Sequence, residues 1–252
     1  MSARVPALLI PAILFPLALA CGAAEPLTVQ QVLKQMGEQD QLRSASLGRY
    51  TCLRRYVLDN HRFHVTAELS VRMTYSSGHK GFQVLSERGP SVIRQRVLRR
   101  MLDAETEASA DDIREQTRIT PLNYEFRLLD VEIQQGRPSY VLEVTPKARN
   151  KFSIRGRVWV DSGDFAIVRV EAAPAKNPSA LIRNTHVVQQ YEKLGQLWLP
   201  LFNHSETESF LFGRTEVTID SWNYDVTQNN GSSSSKEAHE NTLFESTFVR
   251  EF

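Results

Sequence analysis

Cysteine is almost missing from this chain: of 252 residues only Cys21 and Cys52 carry a thiol. Cys21 falls inside an N-terminal segment that reads as a leader, so Cys52 has no partner for an internal disulfide. Stability must come from the core, and Cys52 is expected as a buried, inert thiol. Excess charge is missing too, with 30 Lys and Arg against 29 Asp and Glu, so no global field recruits nucleic acid or an acidic polymer. After residue 24 no apolar run is long enough to cross a bilayer as a helix. G-x-S-x-G, P-loop, G-x-G-x-x-G and C-x-x-C motifs are absent, which removes the usual sequence signals of a nucleophilic hydrolase, a nucleotide binder and a dithiol redox enzyme. The six histidines are scattered. His61 and His64 are predicted on opposite faces at the start of a strand, where they cannot share a metal as a helical pair would. Asp111-Asp112 and Asp161/Asp164 read as capping and turn residues. No enzyme activity, cofactor or metal is therefore expected.

What is there begins with a leader. Arg4 precedes an apolar run from Val5 to Ala20, broken by Pro6, Pro11 and Pro16 and followed by small residues through Ala24. This is the pattern of a secretory signal over residues 1–24. Ala18-Leu19-Ala20-Cys21 resembles a lipobox with its Leu one place late, so Cys21 is a candidate lipidation site. The chain is thus expected in the periplasm, peripheral to a membrane or anchored to the outer membrane through Cys21.

Residues 25–227 read as one domain. Thr28 and Gln31 form a capping box ahead of a helix from about Val29 to Met36 or slightly beyond, with Leu27 and Val32 as its hydrophobic staple. Three strands are expected near Gly48–Leu58, Arg62–Tyr75 and Lys80–Glu87. The second has the strongest pattern in the chain: Phe63, Val65, Ala67, Leu69, Val71, Met73 and Tyr75 alternate with polar residues, a span of roughly 43 Å at about 3.3 Å per residue. A strand of that length must twist and curl. After Pro90 a helix is expected from Ser91 to Ala108. Its Arg94, Arg96, Arg99 and Arg100 precede Asp103, Glu105 and Glu107, the reverse of what the helix dipole favours. Either these charges pair at i,i+4, or the segment is a flap whose arginines meet an anionic headgroup or a partner.

Beyond Pro121 the pattern is one of antiparallel hairpins. For the hairpin Ser153–Ala172, a three-residue loop Ser162–Asp164 predicts Val158 facing Val168, Arg155 facing Glu171 and Trp159 facing Ile167. Residues 228–252 read as a Ser-rich linker followed by a tail, Thr242–Phe252, that can dock as an edge strand. Apolar positions gather on one face: Phe63, Val65, Leu69, Val71, Met73, Tyr75, Leu142, Val144, Ile154, Val158, Val160, Val168 and Val170. Singly each reads as core. Together they outnumber what two short helices can cover, which predicts an apolar cavity as a lipid-binding face.

The order helix, three long strands, helix and hairpins behind an export signal resembles the lipoprotein localisation factor superfamily, which includes LolA and LolB, LppX-type lipid carriers and the amino-terminal domain of RseB-like sensors. Tyr140-Val141-Leu142-Glu143-Val144-Thr145-Pro146-Lys147 is similar to that family's strand ending in a Pro-Lys step, and Val158-Trp159-Val160-Asp161, a turn and Phe165–Val170 follow as they do there. The resemblance implies a mainly β fold with some helix (α+β): a strongly curved antiparallel sheet, or open half-barrel, with plugging helices. It implies a non-covalent carrier of the acyl chains of a lipid or lipoprotein, acting as a monomer, with an envelope protein partner as the alternative. Arg94, Arg96, Arg99 and Arg100 are its candidate headgroup or partner contacts.

Overall fold

The structure, a computed structural model, describes residues 27–177, 180–229 and 233–235; the leader with Cys21 and the Thr242–Phe252 tail lie outside the described residues. The capping box forms as its sequence requires. Gln31 N–H donates to Thr28 Oγ1 (3.4 Å) and Thr28 N–H to Gln31 Oε1 (2.8 Å) at the start of α1 (Val29–Ser46). Val32 and Met36 are its buried stripe. The helix passes the expected end at Met36 because polar contacts carry it on. Arg43 donates to the carbonyls of Asp164 (2.8 Å) and Phe165, and Asp40 pairs with Arg118. Its last carbonyls are closed by Asn229, whose N–H bonds Ser46 O (3.0 Å) and whose Nδ2 bonds Ala45 O (2.8 Å). The start of the expected linker is therefore a helix cap, and Ser233–Ser235 (β11) pairs with the end of β10.

Strands β1 (Leu47–Asn60), β2 (Val65–Ser76) and β3 (His79–Arg88) form the first meander. A helical segment follows: α2 (Ser91–Ile93), a π-helical turn (Arg94–Leu98), α3 (Arg99–Ala108) and α4 (Asp111–Thr117). The second meander runs through β4 (Tyr124–Gln134), β5 (Arg137–Pro146), β6 (Ile154–Asp161), β7 (Ile167–Pro174), β8 (Ile182–Leu194), β9 (Leu197–Ser209) and β10 (Gly213–Gln228). The order across the sheet is β3-β2-β1-β10-β9-β8-β7-β6-β5-β4, all antiparallel, with β3 and β4 as edges. The fold is mainly β with α: a sheet not closed into a barrel, with helices laid on it. What joins the meanders is β1 against β10, with Asn60 opposite Thr215 and Leu47 opposite Gln228. The helical segment then leads from one edge strand, β3, to the other, β4.

The long alternating strand begins two residues later than its pattern. Val65 to Tyr75 keep the period of two, but Phe63 and His64 lie in the β1–β2 turn, where His64 has φ 49° and Phe63 is exposed. Asp59 and Asn60, whose residue types favour a turn between the first two strands, instead end β1. The short hairpins follow their sequence: Ser77-Gly78 and Gln135-Gly136 both place two successive residues at positive φ, as tight hairpin turns require. A Cβ at Gly78 would also meet the guanidinium of Arg114 on α4, the movable end of a long side chain, so it is the φ of 90° that calls for glycine. Asp111 and Asp112, expected at a helix end, open α4, where acidic side chains suit the dipole.

The hairpin of β6 and β7 differs from expectation. Its loop is Ser162–Ala166, with Phe165 rather than Gly163 at positive φ (50°). Asp161 accepts the backbone N–H groups of Gly163 (3.0 Å) and Asp164 (2.7 Å) and holds Arg137 through two further bonds, which fixes the wider turn. Val158 consequently faces Val170, Trp159 faces Arg169, Arg157 faces Glu171, and Val160 faces Ile167 after a bulge. Val168 is thereby turned to the other side of the sheet, where it packs with Val141, Trp159 and Trp198.

Candidate functional site

Two helical elements divide the concave face between them. α1 lies on β4–β7, its Val32 and Met36 packed with Tyr124, Leu142, Val144, Val158, Val160 and Val170. The second element lies on β1–β3 and β10, with Leu98 and Leu102 packed against Tyr56, Leu69, Val71 and Ile219. Met73 belongs to a third cluster with Tyr50, Cys52, Leu199 and Tyr224. Cys52 is a free, buried thiol, and burial pushes its pKa up. It is an unreactive group.

What neither helix covers is the middle of the sheet, β8, β9 and the adjoining part of β10. There a cavity of about 540 Å³ opens, within the usual range for a small-ligand pocket. Val187 and Gln189 of β8, Pro200, Phe202 and Asn203 of β9, and Ile219 and Ser221 of β10 form its strand lining. Met101, Ala104 and Ala108 form the helix side, and Lys151 and Phe152 the β5–β6 loop. A smaller cavity of about 200 Å³ adjoins through Lys151, Phe152, Val187 and Gln189 and reaches Ile119, Ile154, Val170 and Tyr191.

A charged cluster lines the larger cavity. Glu105 of α3 accepts from Arg54 Nη1 (2.8 Å), Tyr56 Oη (2.8 Å) and Lys80 Nζ (3.1 Å), so one helical carboxylate is bonded to β1 twice and β3 once. Burial alone would raise the Glu105 pKa; Lys80, Arg54 and the Tyr56 hydroxyl outweigh it and hold the carboxyl below its ordinary value. Burial likewise works against the Arg54 charge, and Glu105 outweighs that, holding its pKa above the ordinary value. Arg54 is only 4% exposed, yet its Nε has no hydrogen-bond partner among the described residues. Such a donor is costly to leave unmade. Two cationic side chains, Arg54 and Lys80, thus share the Glu105 carboxylate, and Lys151 of the β5–β6 loop, also on the lining, is paired with Glu107 (2.6 Å).

The sequence singled out a different set. Leu69, Val71, Leu142, Val144, Val158 and Val160 are buried beneath the helices, Val65 and Tyr75 sit on β2, and only Ile154 and Val170 touch a cavity, the smaller one. Phe63 lies outside the concave face in a turn, and Val168 lies on the opposite side of the sheet. Arg94 and Arg99 are tied to Glu87 of β3 at 2.6 and 2.7 Å, so their pairing is across elements and not along the helix. Arg96 and Arg100 are exposed. Val187, Gln189, Asn203 and Ser221, which line the larger cavity and were not singled out from the sequence, sit where the strand pattern is mixed. That mixture was the available signal: a strand facing a cavity with a polar wall does not show clean alternation.

A family model described as "-like: Uncharacterized protein" matches residues 102–233, more than half of the 252 residues. The chain belongs to that family. No curated protein matches it. Among solved structures, it is similar to a DUF1329 family protein from Desulfovibrio piger (17% identity, 81% of this chain and 95% of that chain, TM-score 0.46). It is similar also to a putative outer membrane lipoprotein-sorting protein domain from Vibrio parahaemolyticus (13% identity, 81% and 95%, TM-score 0.42). A LolA superfamily protein from Nitrosomonas europaea follows (13% identity, 79% and 93%, TM-score 0.36). Among the described residues no helix is long and apolar enough to cross a membrane, and no group of His, Cys, Asp and Glu is placed to hold a metal ion.

Proposed function

We propose that this protein is a periplasmic binding protein that shelters the acyl part of a lipid or lipoprotein in the cavity beside α3, without covalent chemistry, for traffic within the envelope. One observation carries the reading: an apolar recess beneath a helix has, on one wall, a buried arginine with an unused donor. An apolar chain would lie along Met101, Phe152, Val187, Phe202 and Ile219. An ester, phosphate or carboxylate oxygen at its head would be drawn to the charges of Arg54 and Lys80, and the buried Arg54 Nε–H would come within its reach once the Glu105 contacts loosen. Binding would draw on about 0.8 kcal/mol per CH₂ removed from water. Glu105 would have to loosen its bonds to β1 and β3 for α3 to lift, so the cluster doubles as a latch. The leader in the sequence supports export, and lipidation at Cys21 remains part of the proposal.

The test is native mass spectrometry with lipid extraction on protein purified gently from its own envelope. The expected result is a bound acyl species of defined mass that Val187→Glu abolishes at unchanged melting temperature. Empty wild-type protein would overturn the reading. It would favour a second one, an envelope sensor or scaffold, for which β4 is the relevant observation: this edge strand exposes Leu129, Val131 and Ile133 and can accept a partner's strand.

A further inference from the structure

Because every strand pairs antiparallel, the β1–β2, β5–β6, β7–β8 and β9–β10 connections emerge from the same end of the sheet. At that end the β1–β2 turn and the β9–β10 turn meet. Phe63, Phe210, Leu211, Phe212 and the neighbouring Leu181 are each between 45 and 55% exposed. Their arrangement is built, not frayed. Asn60, 5% exposed, donates Nδ2–H to Phe212 O (2.8 Å) and Thr215 Oγ1 (2.7 Å) and accepts the Phe63 N–H (2.9 Å). Phe63 and Phe212 meet edge to face at 6.5 Å. Arg62 bonds Phe210 O (3.2 Å) and lies 5.8 Å from the Phe63 ring, and Arg183 lies over the Phe210 ring at 4.0 Å.

We infer that this end of the sheet docks on a phospholipid bilayer, the turns dipping their apolar side chains below the headgroups while the arginines stay at the phosphates. Shape argues for a fluid partner: the apolar side chains stand at turn apices, where they enter a yielding medium, and do not line a groove that would receive a protein segment. Charge argues the same way. The four connections 61–64, 147–153, 175–181 and 210–212 contain Arg62, Lys147, Arg149, Lys151 and Lys176, and no Asp or Glu. On the strands behind, Glu206 and Glu216 are engaged by Arg214 and Glu216 also by His61, while Asp59 and Glu208 at the strand ends are exposed, so the five cations of the connections stand against two open carboxylates. Arginine beside apolar side chains suits the interface, where its stem lies in acyl material and its guanidinium reaches phosphate. Docking of this kind goes beyond cargo binding and holds whether or not the cavity carries an acyl chain, because none of the five apolar tip side chains, nor Arg62 or Arg183, lines it.

The experiment is vesicle flotation of the chain from Glu25 to Phe252, free of the leader, with vesicles of phosphatidylethanolamine and phosphatidylglycerol and, in parallel, of phosphatidylcholine. Wild-type protein should float with the anionic vesicles and be partly released by high salt. Leu211→Asp should lower the bound fraction at least about ten-fold. Leu211→Trp should keep it, and R62Q/R183Q should lose the preference for anionic vesicles. Melting temperature confirms that each variant is folded, and sedimentation velocity records its oligomeric state. Wild-type protein that ignores both vesicle types would overturn the inference, as would a folded Leu211→Asp variant that floats equally well. A wild-type dimer that Leu211→Asp makes monomeric, with no vesicle binding by either, would overturn it in favour of a contact between copies.

Discussion

Glu105 concentrates more of the site's electrostatics than any other side chain, because one carboxylate answers Arg54, Tyr56 and Lys80 together. Removing it leaves the Arg54 guanidinium buried without its counter-charge. Glu105→Ala is therefore expected to cost about 3 kcal/mol, read as a lower urea midpoint at neutral pH. The pH dependence has a definite sign. The folded pKa lies below the ordinary 4.5, so the native state favours the ionised form; that stability is fully present above about 4.5 and drains away as pH falls through the depressed value. Asp161 and Asp164 are also held low, with Arg137 and the turn N–H groups overcoming burial at the first and Lys193 and Trp198 at the second. Those two remain in a Glu105→Gln variant. Its loss of stability on acidification should consequently be shallower than the wild type's but not abolished. A slope equal to the wild type's would show that the cluster contributes nothing.

At the scale of elements, the helical segment is held to the sheet by a small apolar contact and a few ionic ones. Leu98 is fully buried, and Leu98→Ala should cost about 2–5 kcal/mol. Because α1 rests on a separate cluster, hydrogen exchange should quicken over residues 91–117 and stay unchanged in α1. Uniform quickening would mean that the segment does not move as a unit. The same geometry changes how a charge at Leu69 or Val71 would be read. Both are buried beneath Leu98 and Leu102, so Leu69→Glu reports on folding and not on cargo. The span Ser91–Ala108 was legible as helix from its apolar spacing. Its charge pairing was not, since Glu87 of β3 and Lys151 of the β5–β6 loop supply partners that no i,i+4 count can see.

For the molecule as a whole, the decisive pairing is the one between strands farthest apart in sequence. Without β10 the meander β1–β3 would have no ladder to the rest of the sheet. A chain ending at Phe212 should therefore lose the cooperative thermal transition altogether, and one that still melts sharply would show that a meander folds alone. Closing a pairing such as Leu47 with Gln228 also predicts slow refolding, in the range of milliseconds to seconds or longer.

Local chemistry was enough to determine the capping box at Thr28, the period-two faces of β2, the tight turns at Ser77-Gly78 and Gln135-Gly136, and the helix after Pro90, because each depends on residues within a few positions of one another. The mainly β class followed from those elements. Which apolar positions became core and which became cavity wall was decided only by tertiary structure. Two helices settle on the flanks of a ten-strand sheet and leave its middle uncovered, so the pocket falls on β8, β9 and part of β10 instead of the strongly alternating strand. The pairing of Arg54 with Glu105 and the meeting of Phe63 with Phe212 have the same origin. Each joins residues brought together by strand order or by a helix crossing, and neither can be read from spacing along the chain.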